Sequence, residues 1–177
     1  MGTGTRRQLQ QHNIRAKKHL GQNFLLDKNM LAWIADAVEL SNLDTVLEIG
    51  PGCGNLTVEL AWRAGSVIAV ELDRELEPIL RANISGFNNI HIVWGDFLAY
   101  DTEGLWRLGS GEESGQRKVA ANLPYYITSP VLIKLLTESP KPSLAMLLMQ
   151  LEVAQRLVAK PGTKEYGSLS VLTQFYT

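Results

Sequence analysis

Apolar residues are grouped in two ways along this chain of 177 residues. Short apolar runs at Thr45–Gly50, Val67–Leu72, Ile90–Trp94, Lys118–Ala121 and Leu144–Met149 predict strands. Between them the apolar positions take helical spacing. Met30, Leu31, Ile34, Ala35 and Val38 share one face of a helix that Asp27 can cap. Asn55–Ala64 predicts the next helix, ended by Gly65, and another spans Glu75–Asn83, where Pro78 limits how early it begins. Ser129-Pro130 supplies an N-cap followed by proline at the first helical position, for a helix running to Glu138. Glu152–Val158 and Leu169–Tyr176 also take helical spacing, and Gly109–Gln116 has the composition of a surface loop. Strands alternating with helices in this way predict an α/β fold, a parallel sheet with helices on both faces.

The length suits one domain with a real core, and 45% apolar with 20% charged residues is ordinary globular composition. No apolar run is long enough to span a bilayer, and the first residues carry no apolar signal-peptide core, so no membrane partner is expected. The single cysteine, Cys53, has no internal disulfide partner, and no Cys/His cluster has zinc spacing. A reducing, cytoplasmic setting without a metal is the expectation, with Cys53 a small filler in its turn rather than a nucleophile.

Charge is unevenly spread. Residues 1–26 hold Arg6, Arg7, Arg15, Lys17 and Lys18 and no acid, so all 18 acidic residues fall on the remaining body, which is net negative. Residues 1–16 are polar and glutamine-rich and read as a flexible basic arm. Such an arm either reaches a polyanion or is a solvated tail; it lacks the serines and apolar face of a mitochondrial presequence. Lys17–Leu25 differs from it, mixing apolar anchors with side-chain amides.

The chain is organised around Val46–Gly54, reading Val-Leu-Glu-Ile-Gly-Pro-Gly-Cys-Gly. An apolar run, a carboxylate, three alternating glycines and then a helix start are the parts of a nucleotide-binding crossover. A dinucleotide fingerprint would put its third glycine where Asn55 stands; here it comes one residue early, at Gly54. The pattern is therefore Glu-x-Gly-x-Gly-x-Gly, which resembles the first motif of S-adenosylmethionine-dependent methyltransferases and argues against a nicotinamide dinucleotide. Glu71, at the end of the second strand, falls where their ribose-binding acid sits, and a carboxylate can accept both ribose hydroxyl protons.

Ligands of open parallel sheets bind outside the carboxyl ends of the strands. Those ends carry Glu48/Gly50, Glu71, Gly95-Asp96 and Asn122-Leu123-Pro124-Tyr125, which converge on one crevice. The last tetrapeptide suits methylation of an exocyclic amine, whose lone pair is delocalised into its ring. Two acceptors, the Asn122 side-chain oxygen and the Leu123 carbonyl, would favour the pyramidal nitrogen needed for attack. Pro124 stiffens the turn, and Tyr125 offers a face on which an extruded base can stack. The plain alternative is a turn in which Asn122 bonds the backbone and Tyr125 packs into the core.

Taken together, Lys17–Leu25, Glu48–Gly54, Glu71-Leu72-Asp73, Gly95-Asp96-Phe97 and Asn122–Tyr125 resemble the KsgA-type (RsmA) small-subunit ribosomal RNA adenine dimethyltransferases. The resemblance covers residues 15–177 and implies a Rossmann-like S-adenosylmethionine-dependent methyltransferase fold. It implies that Asn23 and Leu25 touch the methionine end of the cofactor S-adenosyl-L-methionine, and that Gly50 and Gly52 line its bed. Glu71 would bind the ribose and Asp96 the adenine amino group, and Asn122 would sit between cofactor and target amine. The implied reaction is dimethylation of N6 of two adjacent adenosines near the 3′ end of small-subunit (16S) ribosomal RNA. The implied partner is a small ribosomal subunit precursor, met by a monomer. A non-catalytic RNA-binding assembly factor is the alternative, and the related large-subunit RNA dimethyltransferases fit the Leu-Gly-Gln-Asn-Phe-Leu and Pro-Tyr-Tyr-Ile-Thr-Ser-Pro stretches less well. Two departures stand out. Leu151 replaces the lysine of the family's Gln-Lys-Glu-Val-Ala, removing one basic contact. The family's chains also continue beyond Thr177 through the last sheet strands and a small helical domain, so residues 17–177 are expected to form an incomplete catalytic domain.

Overall fold

A computed structural model describes residues 2–14, 16–17, 20–109 and 115–177, without the side chains of Thr3 and Arg6. Of the basic residues of 1–26, Arg15, Lys18 and the Arg6 side chain lie outside the described residues, as do residues 110–114 of the expected loop. Five strands, β1 (Thr45–Ile49), β2 (Ser66–Glu71), β3 (Ile90–Trp94), β4 (Arg117–Asn122) and β5 (Leu144–Leu148), form one sheet in the order β3-β2-β1-β4-β5. Every pairing is parallel; Glu48 lies opposite Ala69 on one side and Ala120 on the other.

Helices cover both faces, which is why β1 and β2 are buried along their whole length. On one face Val46, Val67 and Ala120 pack against α2 (Lys28–Ala37) and α3 (Asn55–Ala61) through Leu31, Ile34, Leu56 and Leu60. On the other, Leu47, Ile49, Ile68 and Val119 meet α5 (Thr102–Trp106) and α6 (Thr128–Thr137) through Trp106, Val131 and Leu135. α4 (Glu77–Ile84) follows a short 3₁₀ turn at Arg74–Leu76, and α7 (Leu151–Leu157) and α8 (Ser168–Tyr176) close the chain. Truncating a fully buried side chain such as Leu47 to alanine costs about 2–5 kcal/mol in a core of this kind.

Several local expectations need correcting. Asp27 caps α2 by accepting from the Asn29 and Met30 amides, but Met30 itself is 43% exposed because only Leu31, Ile34, Ala35 and Val38 reach the sheet. α3 ends at Ala61, and Gly65 serves close chain passage rather than a cap: a Cβ there would lie 2.3 Å from the Asn42 carbonyl oxygen. α6 begins at Thr128, so Ser129 is inside the first turn; Pro130 is tolerated there because first-turn amides have no intrahelical acceptor. The five-residue α5 is too short to show a period, yet Asp101 caps it and Leu105 and Trp106 bury it.

Residues Gly2–Gln11, expected to be irregular, form α1. Its Leu9, with Ile14, packs on a small cluster of Cys53, Leu76 and Ile79. The Thr5 hydroxyl donates to Asn55 Oδ1 (3.1 Å), and Gln8 Nε2 donates to Asn83 Oδ1 (2.9 Å). A polar sequence thus becomes helical by docking two apolar residues and two hydrogen bonds on the body, which composition alone does not reveal.

Candidate functional site

β1 and β4 lie side by side, but the strands that follow them run to opposite edges of the sheet. At such a switch point the loops part and leave a crevice at the carboxyl ends. A cavity of about 190 Å³ opens there.

Its floor is the turn after β1. Gly50 and Gly54 have φ of +73° and +82°, a region where a Cβ is strained. A Cβ on Gly54 would also lie 2.7 Å from Leu80 Cδ1, whereas one on Gly50 would meet no protein atom within 4 Å, so glycine there keeps cavity space open. The Gly52 amide donates to Glu71 Oε2 at 2.9 Å, tying the end of β1 to the end of β2. Glu71 Oε1 accepts from the Asp73 amide at 2.8 Å. Burial holds the Glu71 carboxyl above its ordinary range, against the pull of those two amides.

Glu48, one position before Ile49, is wholly buried, lines the cavity and leaves Oε2 without a hydrogen-bond partner. Burial pushes its carboxyl up to about 8; the Thr57 hydroxyl opposes this and the Glu71 carboxylate adds to it. The third acid of the wall is Asp96, after β3, which accepts from the Leu98 amide at 2.9 Å. Glu48, Glu71 and Asp96 all line the cavity, and among the described residues no Lys, Arg or His lines it. The wall therefore suits a cationic ligand, which Glu48 can meet by giving up its proton, better than a phosphate.

Leu20–Leu25 forms the opposite side. Asn55 Nδ2 donates to the Leu25 carbonyl at 3.1 Å, and Asn122 Nδ2 donates to the Asn23 carbonyl at 3.0 Å. This second bond leaves Oδ1 as the free acceptor of the Asn122 amide. Phe24 lies over the glycine turn, 3.3 Å from where a Gly52 Cβ would be.

The structure thus brings Asn23, Leu25, Gly50, Gly52, Glu71, Asp96, Asn122 and Pro124 to one cavity. Leu123 and Tyr125 are not in its wall. Leu123 is buried in the core beneath, its amide bonded to the Leu148 carbonyl, because its side chain alternates inward at the end of β4. Tyr125 is 59% exposed, which excludes the reading in which it packs into the core, and the neighbouring Tyr126 lines the cavity instead. Adjacent tyrosines in a turn carry no periodicity, so sequence cannot say which one faces inward. Gln22 and Phe24 also line the cavity; their only sequence signal was membership of the amide-rich Lys17–Leu25 stretch.

A glycine turn after β1, an acid at the end of β2 and a crevice at the switch point of a parallel sheet define the Rossmann-like fold of S-adenosylmethionine-dependent methyltransferases. A dimethyladenosine transferase from Plasmodium falciparum shares that fold at TM-score 0.70 and 30% identity, over 84% of this chain and 50% of that one. The 23S rRNA methyltransferase ErmE does so at TM-score 0.64 and 36% identity, over 85% of this chain and 55% of its own. Residues 13–177 match the family described as ribosomal RNA adenine dimethylase. The chain belongs to that family. Among its relatives, the ribosomal RNA small subunit methyltransferase A of Moorella thermoacetica is 50% identical over 91% of this chain, and that of Geobacillus sp. is 47% identical over 98%. The chain spans 57% and 59% of the length of those two relatives.

Proposed function

We propose that this chain carries the catalytic site of an enzyme that uses S-adenosyl-L-methionine to dimethylate N6 of two adjacent adenosines near the 3′ end of small-subunit ribosomal RNA. The observation that carries this reading is the cavity wall, with the acids Glu48, Glu71 and Asp96 and, among the described residues, no cationic side chain. S-adenosyl-L-methionine has a sulfonium, an ammonium and no phosphate, whereas a nicotinamide dinucleotide would bring its pyrophosphate against Glu48, Glu71 and Asp96. The unpartnered Glu48 Oε2 and the open space above Gly50 fit the same ligand. The names of the relatives support small-subunit RNA as the substrate.

Bound there, S-adenosyl-L-methionine supplies an activated methyl group on a good leaving group. The protein's part is placement. Glu71 keeps lone pairs for the ribose hydroxyls beyond the two amides it already accepts, and Asp96 accepts from the adenine amino group. Asn23, Leu25, Gly50 and Gly52 bed the methionine end. Asn122 Oδ1 in the wall and the Leu123 carbonyl, which lies outside that wall, would accept the hydrogens of the target amine and so orient its lone pair. Tyr125, exposed beside the cavity, offers its ring to the extruded adenine, and so keeps a role outside the cofactor wall. The basic residues of 1–16 favour RNA, and Leu151, exposed at the start of α7, offers no cationic contact there. The same reading places a monomeric enzyme on small-subunit precursors in the cytoplasm; no helix among the described residues is long and apolar enough to cross a membrane.

The test is a calorimetric titration of this chain with S-adenosylhomocysteine and, separately, with NAD, followed by methyl transfer to unmethylated small subunits. Saturable binding of S-adenosylhomocysteine alone, with transfer to adenosine, is the expected result. Binding of NAD alone would overturn the cofactor, and cofactor binding without transfer would favour an RNA-binding assembly role.

A further inference from the structure

The segment Leu20–Leu25 is tied to the body of the protein at three places, and among the described residues one tie is ionic. Two are the neutral bonds from Asn55 to Leu25 and from Asn122 to Asn23. At the third, Lys17 Nζ lies 2.8 Å from Asp73 Oδ1 and 3.0 Å from Glu75 Oε2. Gln22 locks this corner: its Nε2 donates to Asp73 Oδ2 at 2.7 Å while its Oε1 accepts the Lys17 amide at 2.9 Å. The Asp73 side chain is only 3% exposed and does not line the cavity. Its backbone amide, however, donates to Glu71 Oε1. One residue behind the wall therefore holds both a wall segment and a wall carboxylate. The same segment reaches the far side of the site, where a Cβ on Gly21 would lie 3.0 Å from Pro124 Cβ.

We propose that Asp73 is a positioning residue for the cofactor: through Gln22 and Lys17 it holds Leu20–Leu25 against the Glu71 side of the cavity, and this tie sets how fast the cofactor leaves. The proposal rests on the reading of the cavity as an S-adenosyl-L-methionine site. Its physics is that of charge-assisted hydrogen bonds made to a buried carboxylate, which are stronger than exposed ion pairs. Burial alone would push the Asp73 carboxyl up; hydrogen bonds from Lys17 and Gln22 overcome this and hold it below the usual range, so it is charged at neutral pH. Hydrogen bonds to Asp73 and Glu75 likewise hold the Lys17 ammonium above its ordinary value. Entry and exit past Leu20–Leu25 require this corner to open, while the bonds from Asn55 and Asn122 act as the hinge side.

The measurement is the dissociation rate of S-adenosylhomocysteine from the whole chain by stopped-flow displacement. Asp73→Asn should speed release about tenfold or more, the loss expected for one charge-assisted tie, with the association rate nearly unchanged. Lys17→Met should speed it less and abolish its rise with added salt, and Lys17→Arg should restore both. Arg63→Met, which breaks ion pairs with Asp36 and Glu59 on the α2–α3 surface, should leave the rate alone. Should Asp73→Asn fail to fold, Lys17→Met at its part-exposed position carries the test. Release at the wild-type rate from Lys17→Met and any folded Asp73→Asn, or equal acceleration by Arg63→Met, would overturn the proposal. A wild-type chain that binds no S-adenosylhomocysteine overturns the cofactor reading itself, a distinct result.

Discussion

Glu48→Gln separates the cost of the cavity's buried acid from everything else in the fold. The side chain is wholly buried, and its carboxyl is pushed from an ordinary 4.5 to about 8, chiefly by burial. Below pH 4.5 it is protonated whether the chain is folded or not, and it contributes no pH dependence. As pH rises from there towards 8, the unfolded chain gives up the proton while the folded one keeps it, so folding is penalised by about 1.4 kcal/mol per pH unit. The penalty reaches about 1 kcal/mol at pH 5, about 3 at pH 7, and levels near 5 above pH 8. Glutamine has the same shape and no titration. Its own unpaired amide costs about 1–3 kcal/mol, but equally at every pH. Denaturant unfolding of both proteins across pH 5 to 8 should therefore show the variant gaining about 3 to 4 kcal/mol on the wild type as pH rises, whatever the starting offset. A wild-type-to-variant difference that stays flat over that range would mean that Glu48 is ionised inside the folded protein, against the raised carboxyl inferred from its burial. Adding S-adenosylhomocysteine, whose ammonium can pair with the ionised form, should flatten the wild-type curve.

Three further outcomes are expected. Tyr126→Ala should weaken S-adenosylhomocysteine binding about tenfold, while Tyr125→Ala should leave that binding unchanged and slow methyl transfer to RNA, since only Tyr126 lines the cavity. Asn122→Ala should lower methyl transfer by about a hundredfold or more with RNA binding nearly intact, measured by single-turnover kinetics and filter binding; equal loss of both would sink its catalytic role. Asp44, which faces Lys118 at 3.1 Å, is held at about 2 because amide bonds from Gln116 and Ser41 and the Lys118 bond outweigh its burial. Its contribution, about 2 kcal/mol, is present above pH 3.8 and lost as pH falls to 2, so the stability gap between wild type and Asp44→Asn should close in acid unfolding.

Local chemistry and its order along the chain were legible in the sequence alone. The apolar runs placed the strands to within a residue or two, because short apolar stretches between turn signals have few other uses in a parallel sheet. The early third glycine at Gly54 and the acid at Glu71 announced the ligand class, because backbone approach and a hydrogen-bonding carboxylate are properties of the residues themselves. Asn23, Leu25, Asp96 and Asn122 were named through resemblance and reach the same cavity. Tertiary structure decided what depends on neighbours distant in the chain. Glu48 became a high-pKa acid only when α3 and the cavity wall enclosed it. Tyr126 rather than Tyr125 lines the cavity through the path of the β4–α6 turn, though both are more than half exposed, and Gly2–Gln11 became a helix by docking on Cys53, Leu76 and Asn83. The corner of Lys17, Gln22 and Asp73 joins residues more than fifty positions apart, a distance over which no local pattern carries information. Burial, facing and long-range pairing are properties of the packed chain, and they appear only when the sheet brings its strand ends together.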